Sequence, residues 1–330
     1  MTNLLEDIES AVYRGLGFIL AQQDTEGSWT DWELPPGASS EWTTAYIGFR
    51  LSGLHTPFRQ RISEPLDRAA CWLLAHRFPN GGWGYNPTVE SDADSTALAM
   101  IFLTSTHHEP PDDAYDYLRR FQQQDGGFST FLQDGLMGSW GRSHAEITPV
   151  ALLALQTHRG GLPDEILTRG LNWIHRMRRA NGTWNSFWWS TPLPATEANL
   201  ALLAALECPA DMPPILQDRE PDDNLQTAYL LSITAYAESD QRMYDLARFL
   251  INAQGQDGSW QSGPALRIPQ RNCERPRGQL LSGPSFADPM RLFTTATVIS
   301  ALSKAHWIIV SKSRESYDSD QYMRTHRSVY

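Results

Sequence analysis

The sequence predicts an all-α chain closed on itself as a single α/α (α6/α6) toroid barrel. One unit recurs five times along the 330 residues: an amphipathic helix, a polar stretch with Gln or Asn, then Gly and an aromatic. After each copy comes a second, more apolar helix rich in small residues, and no strand-like alternation competes with the helical period. Helical pairs closed into a ring put the amphipathic members outside, the apolar members inside, and the inner N-termini at one end of a central cavity.

In chain order, the first helix starts near Ile8 and ends in Gln22-Gln23-Asp24-Thr25-Glu26-Gly27-Ser28-Trp29. The second copy ends Phe78-Pro79-Asn80-Gly81-Gly82-Trp83, and the third reads Phe121-Gln122-Gln123-Gln124-Asp125-Gly126-Gly127-Phe128. The fourth is Asn181-Gly182-Thr183-Trp184 and the fifth is Gln254-Gly255-Gln256-Asp257-Gly258-Ser259-Trp260. Gly stops the helix in a turn, the aromatic packs over that turn, and Gln bonds to loose backbone groups, so each copy acts as a staple. Inner helices are predicted over 41–49, 94–103, 146–155, 197–206 and 291–302. A further inner helix, 225–236, has no clear outer partner, because Pro209, Pro213, Pro214 and Pro221 leave room only for a degenerate turn before it. Residues 1–310 form the barrel, and the polar tail 311–330 is expected to pack outside or fray.

Composition excludes several function classes. A core is affordable with 41% hydrophobic residues, while a net charge of −11 opposes nucleic acid and anionic bilayers. The acidic start lacks a signal-peptide pattern and no uninterrupted apolar run reaches membrane-spanning length, so a cytoplasmic protein with at most weak peripheral membrane contact is expected. Three scattered cysteines, Cys71, Cys208 and Cys273, fit a reduced compartment, and no metal or cofactor is expected.

Chemistry is carried by Asp92-Ala93-Asp94-Ser95-Thr96-Ala97, which opens the second inner helix. Desolvation and like charge raise a carboxyl pKa, whereas the helix N-terminus favours the anion. Such a group keeps its proton until a weak base arrives. The competing role is plain helix capping by Asp and Ser.

The staples resemble the QW repeats of squalene-hopene and oxidosqualene cyclases, and the acidic stretch resembles the Asp-x-Asp-Asp-Thr-Ala motif of class II terpene cyclases. The likeness spans roughly residues 5–305, with length for one helical domain rather than the usual two. It points to the single-domain cyclases that fold prenylated aromatic acids into polycyclic meroterpenoids. The resemblance implies protonation of a terminal alkene by Asp94, tuned by Asp92, followed by cationic ring closures. Ser95 replaces the motif's last Asp, and its hydroxyl is expected to bond to Asp94. Val150 stands where the family has a histidine; His144, one turn earlier, is either a substitute or a surface or capping residue.

By the same resemblance Tyr85 and Trp188 face the carbocation. Trp42, Tyr46, Phe187 and Phe293 are further aromatic candidates, chosen from inner-helix or adjoining-loop positions. The insert 263–289 carries Arg267, Arg271, Arg275 and Arg277, with Arg291 following, and is a candidate holder of a substrate carboxylate or diphosphate. Three alternatives stay open: a cyclase of prenyl diphosphates, a zinc-dependent protein prenyltransferase β-subunit, and a sugar-binding toroid. The prenyltransferase reading needs an Asp-x-Cys pair where this chain has Asp222-Asp223-Asn224 and Arg291-Leu292.

Overall fold

The staples build the architecture through the same set of side-chain bonds at each repeat. In the computed structural model the indole Nε1 of Trp29, Trp83, Trp184 and Trp260 donates to the carbonyls of Ile19, Leu73, Ile174 and Leu250, at 2.7–2.9 Å. Each ring thereby satisfies a free carbonyl near the end of its outer helix. The backbone N–H of the same aromatic donates to a threonine in the first turn of the following inner helix: Thr44, Thr96, Thr148, Thr196 and Thr295 in the five copies. Gln23, Gln122 and Gln254 then reach the carbonyls of Pro65, Ile166 and Ala11 on neighbouring outer elements. Outer helix, inner helix and next repeat are tied at one point. Gly258 shows why the turn excludes side chains: its φ is +89° and a Cβ there would lie 2.5 Å from the Arg14 carbonyl oxygen.

The described residues are 2–327, apart from 134, 159–160, 209–212, 214–215, 217–219, 221, 237–239 and 274–282; over 313–327 only the helical backbone is described. The inner helices are α2 (Glu41–Ser52), α5 (Ala93–Ser105), α7 (Ile147–Gln156), α9 (Leu193–Ala205), α10 (Asn224–Tyr236) and α12 (Leu292–Arg327). Around them lie α1 (Thr2–Ala21), α4 (Ser63–Ala75), α6 (Asp112–Arg119), α8 (Asp164–Met177) and α11 (Asp240–Asn252), with the one-turn α3 (Thr56–Arg59). Consecutive inner helices pack in turn, and α12 packs on both α10 and α2, which closes the ring. The degenerate turn expected before α10 falls largely outside the described residues.

Two features depart from the sequence expectation. Short antiparallel hairpins, β1 (Asp31–Leu34) with β2 (Gly37–Ser39) and β3 (Leu266–Arg267) with β4 (Ser285–Phe286), cover the end of the ring where the inner helices begin. They are too short to show alternation, and a carboxylate rather than a pattern fixes the first: Asp31 accepts from the backbone N–H groups of Met290, Leu292 and Phe293 and so caps α12. The last inner helix is also longer than expected, α12 continuing to Arg327. The stretch Leu292–Lys312 is apolar and long enough to cross a membrane by length and composition, yet 72% of its most apolar window is buried in the ring.

Candidate active site

Asp92 is the N-cap of α5: its Oδ1 accepts from the Ser95 backbone N–H and its Oδ2 from the Ser95 hydroxyl, at 2.8 and 2.7 Å. N-cap and third helical residue face each other across the first turn, which is why Ser95 bonds to Asp92 and not to its neighbour Asp94. Asp94 Oδ2 instead accepts from the Trp42 indole Nε1 at 2.8 Å, from the adjacent inner helix. Burial pushes the Asp94 carboxyl up to about 6 against the opposing Trp42 bond, and pushes Asp92 to about 7 with the Asp94 charge adding to it. The two titrate together. Both Asp92 oxygens are engaged by Ser95, whereas Asp94 lines the cavity with its Oδ2 held by Trp42.

That cavity, of about 530 Å³, runs inside the ring from the N-terminal turns of the inner helices to their C-terminal ends. Trp42, Tyr46, Tyr85 and Trp188 line it, together with Trp140 and Trp189. The far end is polar. Arg50 pairs with Glu197 through two bonds of 3.1 and 3.3 Å, both side chains buried, and Lys304 donates to the Tyr236 hydroxyl at 2.9 Å. Arg50 also donates to Tyr46, whose hydroxyl bonds to Thr297 and Tyr229.

Beside Trp188 a second buried network meets the cavity. Trp188 Nε1 donates to Thr130 Oγ1 at 2.7 Å, and Thr130 pairs with His144 Nδ1 at 2.9 Å. His144 Nε2 lies 2.9 Å from the Ser139 carbonyl, which only accepts, so Nε2 carries the hydrogen and Nδ1 takes the Thr130 proton. Burial holds this imidazole neutral, with its pKa down to about 4. His144 is thus neither a surface residue nor a partner of Asp94. Glu146 completes the group, its Oε1 accepting from the backbone N–H groups of Phe187 and Trp188 at 2.6 and 2.7 Å. Its Oε2 is buried and has no partner. Burial, with the Asp94 charge as a lesser cause, pushes the Glu146 carboxyl up to about 7.

Solved structures share this fold. The type II terpene cyclase MstE from Scytonema superposes with a TM-score of 0.79 at 25% identity, over 92% of this chain and 99% of that one. In fold and in sequence the chain resembles the class II terpene cyclases. A variant of MstE in complex with geranylgeranyl dihydroxybenzoate superposes with a TM-score of 0.80 at 23% identity, covering 93% of this chain and 99% of that one. Among curated proteins, a drimenyl diphosphate synthase from Streptomyces showdoensis is 27% identical over 286 residues, 77% of this chain and 50% of that protein. A squalene-hopene cyclase from Schizosaccharomyces japonicus is 24% identical over 234 residues, 54% of this chain and 34% of that protein. The chain spans half or less of the length of these two curated relatives. No protein-family model matches it.

Within the cyclase fold, three of the sequence-predicted residues lie away from the cavity. Phe293 is fully buried behind the wall, stacked on Tyr46 at 3.8 Å between ring centroids. Phe187 stacks on His144 at 4.1 Å in the layer behind Trp188. Arg291 pairs with Asp257 at 2.9 Å and donates to Ser259, bracing the fifth staple on the outside. The insert makes a similar correction: Arg267 is buried and donates to the Phe187 and Ser186 carbonyls, and Arg271 lies over the Trp140 ring and donates to the Leu136 carbonyl. These guanidiniums hold loop backbone; Arg275 and Arg277 lie outside the described residues. Val150 lines the cavity.

Sequence reasoning missed Glu146, Thr130, Arg50, Glu197 and Lys304. For Glu146 a signal existed in the repeat register. Two residues before the staple threonine stand Trp42, Asp94, Glu146, Pro194 and Phe293, and the first four line the cavity. Glu146 therefore occupies on α7 the place that Asp94 occupies on α5.

Proposed function

We propose that the chain is a class II terpene cyclase in which Asp94 protonates the terminal alkene of a coiled linear polyprenyl chain. The observation that carries this reading is a carboxyl with a raised pKa facing an aromatic-lined cavity. Alkene protonation needs a carboxyl that holds its proton well above the ordinary carboxylate range, and burial supplies it. The Trp42 indole holds the carboxyl in place and bonds the anion left behind. The cation then propagates as successive alkenes attack it, and the faces of Trp42, Tyr46, Tyr85 and Trp188 support it by about 0.5–2 kcal/mol each in a dry site. Closure of the ring keeps out the water that would quench it.

The substrate class we favour is a prenylated aromatic acid. Two features support it: the likeness to MstE over nearly the whole chain, and an excess cation at the end of the cavity opposite the acid, where Lys304 lies beside the Arg50–Glu197 pair and suits an anionic head group. A prenyl diphosphate is the second reading, favoured by the drimenyl diphosphate synthase relative.

The test is product analysis by mass spectrometry for wild type and Asp94→Asn. The panel is farnesyl and geranylgeranyl hydroxybenzoates, the corresponding diphosphates, and squalene. Asn keeps the shape and the Trp42 bond and removes the acidic proton. A cyclic isomer is expected from wild type, with the variant slower by at least about a hundredfold. The same product at the same rate from both proteins would reduce Asp94 to a helix residue. No cyclic isomer from wild type on any substrate would remove the cyclase reading.

A further inference from the structure

The geometry points to Glu146 as a second catalytic carboxylate, the base that takes the terminating proton from the last carbocation; this rests on the cyclase reading. The carboxylate oxygens around the cavity divide by what they already accept. Both oxygens of Asp92 accept from Ser95, and both oxygens of Glu197 accept from Arg50. Glu146 uses one oxygen to hold the Phe187 and Trp188 N–H groups, and this fixes the side chain. Its other oxygen, Oε2, is buried without a donor, on a residue that lines the cavity.

A buried carboxylate oxygen without a partner costs free energy unless something completes it in the working state. A hydrocarbon substrate donates no ordinary hydrogen bond, but a carbocation is an exceptionally strong acid at the carbon beside its charge. In the terminating step that C–H bond breaks, its electron pair forms the new C=C bond, and the proton goes to Glu146 Oε2. Asp94, ionised by its own donation, is reprotonated through solvent after product leaves, and Glu146 gives up its proton the same way. Substrate and product are then isomers, with one proton taken in and one given out.

Asp94 and Glu146 open neighbouring inner helices that pack directly on each other, at an interaxial spacing of about 8–10 Å.

Glu146→Gln separates this role from simple positioning, because Gln keeps the Oε1 acceptor for the two N–H groups and loses only basicity. The measurement is product composition by mass spectrometry and NMR, with Asp94→Asn as reference and thermal melting as the check on folding. Wild type is expected to give a cyclic alkene of unchanged mass. Glu146→Gln is expected to consume substrate still, with formation of that alkene down by about a hundredfold and water adducts or shifted alkenes in its place. Glu146→Asp, which keeps the carboxylate, should retain the wild-type alkene at a lower rate. The inference is overturned if folded Glu146→Gln makes the wild-type alkene at the wild-type rate. It is equally overturned if that variant is as inert as Asp94→Asn, if Glu146→Asp scatters products as Gln does, or if the wild-type product is itself a water adduct. Absence of any cyclic product from wild type would instead remove the cyclase reading on which it stands.

Discussion

Trp42 shows how one side chain sets the strength of an acid. Its indole N–H bonds to the Asp94 anion more strongly than to the neutral acid, so it opposes the effect of burial. Trp42→Phe keeps an aromatic face and removes that donor, so the Asp94 pKa rises and the conjugate base becomes costlier to form. We expect kcat to fall while the alkaline limb of the pH–rate profile moves to higher pH, a shift that lost packing alone does not produce. This limb is where Asp94 loses its proton, which burial places near pH 6. At this scale Asp92 and Asp94 were legible because capping residues and carboxylates announce themselves locally. Glu146 was legible only by aligning repeats, and Arg50 with Glu197 not at all, since 147 residues separate them and only ring closure brings them together.

At the scale of the elements, the staple rather than the isolated helix is the stable unit. It links an outer helix carbonyl, a turn and an inner helix threonine by bonds that recur in register. The third copy carries Phe128 and lacks the ring N–H, so that one bond is dispensable in the native chain. Trp184→Phe, which removes that bond and leaves a small cavity at a fully buried site, is expected to cost about 2–4 kcal/mol in urea unfolding. Thr196→Val, which strands the buried Trp184 backbone N–H, is expected to cost about 1–3 kcal/mol by the same measurement. The repeat made the inner helices readable to within a few residues at most boundaries. The hairpins escaped because a four-residue strand held by Asp31 and a distant helix start has no periodicity to read.

For the whole molecule, buried acids tie stability to pH. Asp92, Asp94, Glu146 and Asp288 have raised pKa values, chiefly through burial, and bind protons in the folded chain at a pH where the unfolded chain has lost them. Their contribution is complete below the ordinary carboxylate range and is lost as pH rises through the folded values near 6 to 7. The melting temperature is expected to be higher near pH 5 than near pH 8, and Asp94→Asn should narrow the gap, as differential scanning calorimetry would show. Ring closure by α12 against α2 has a different effect on turnover. The stapled wall gives substrate and product the same mould of about 530 Å³. A flexible chain slips into such a space as a thread. On the cyclase reading, cyclisation turns it, atom for atom, into a shorter and thicker block that leaves the mould less easily than the thread entered it. Departure rather than chemistry is then expected to set the pace. Rapid mixing of enzyme with excess substrate should give a burst of about one product per site, followed by a slower steady rate that viscosity and detergent change and solvent deuterium does not.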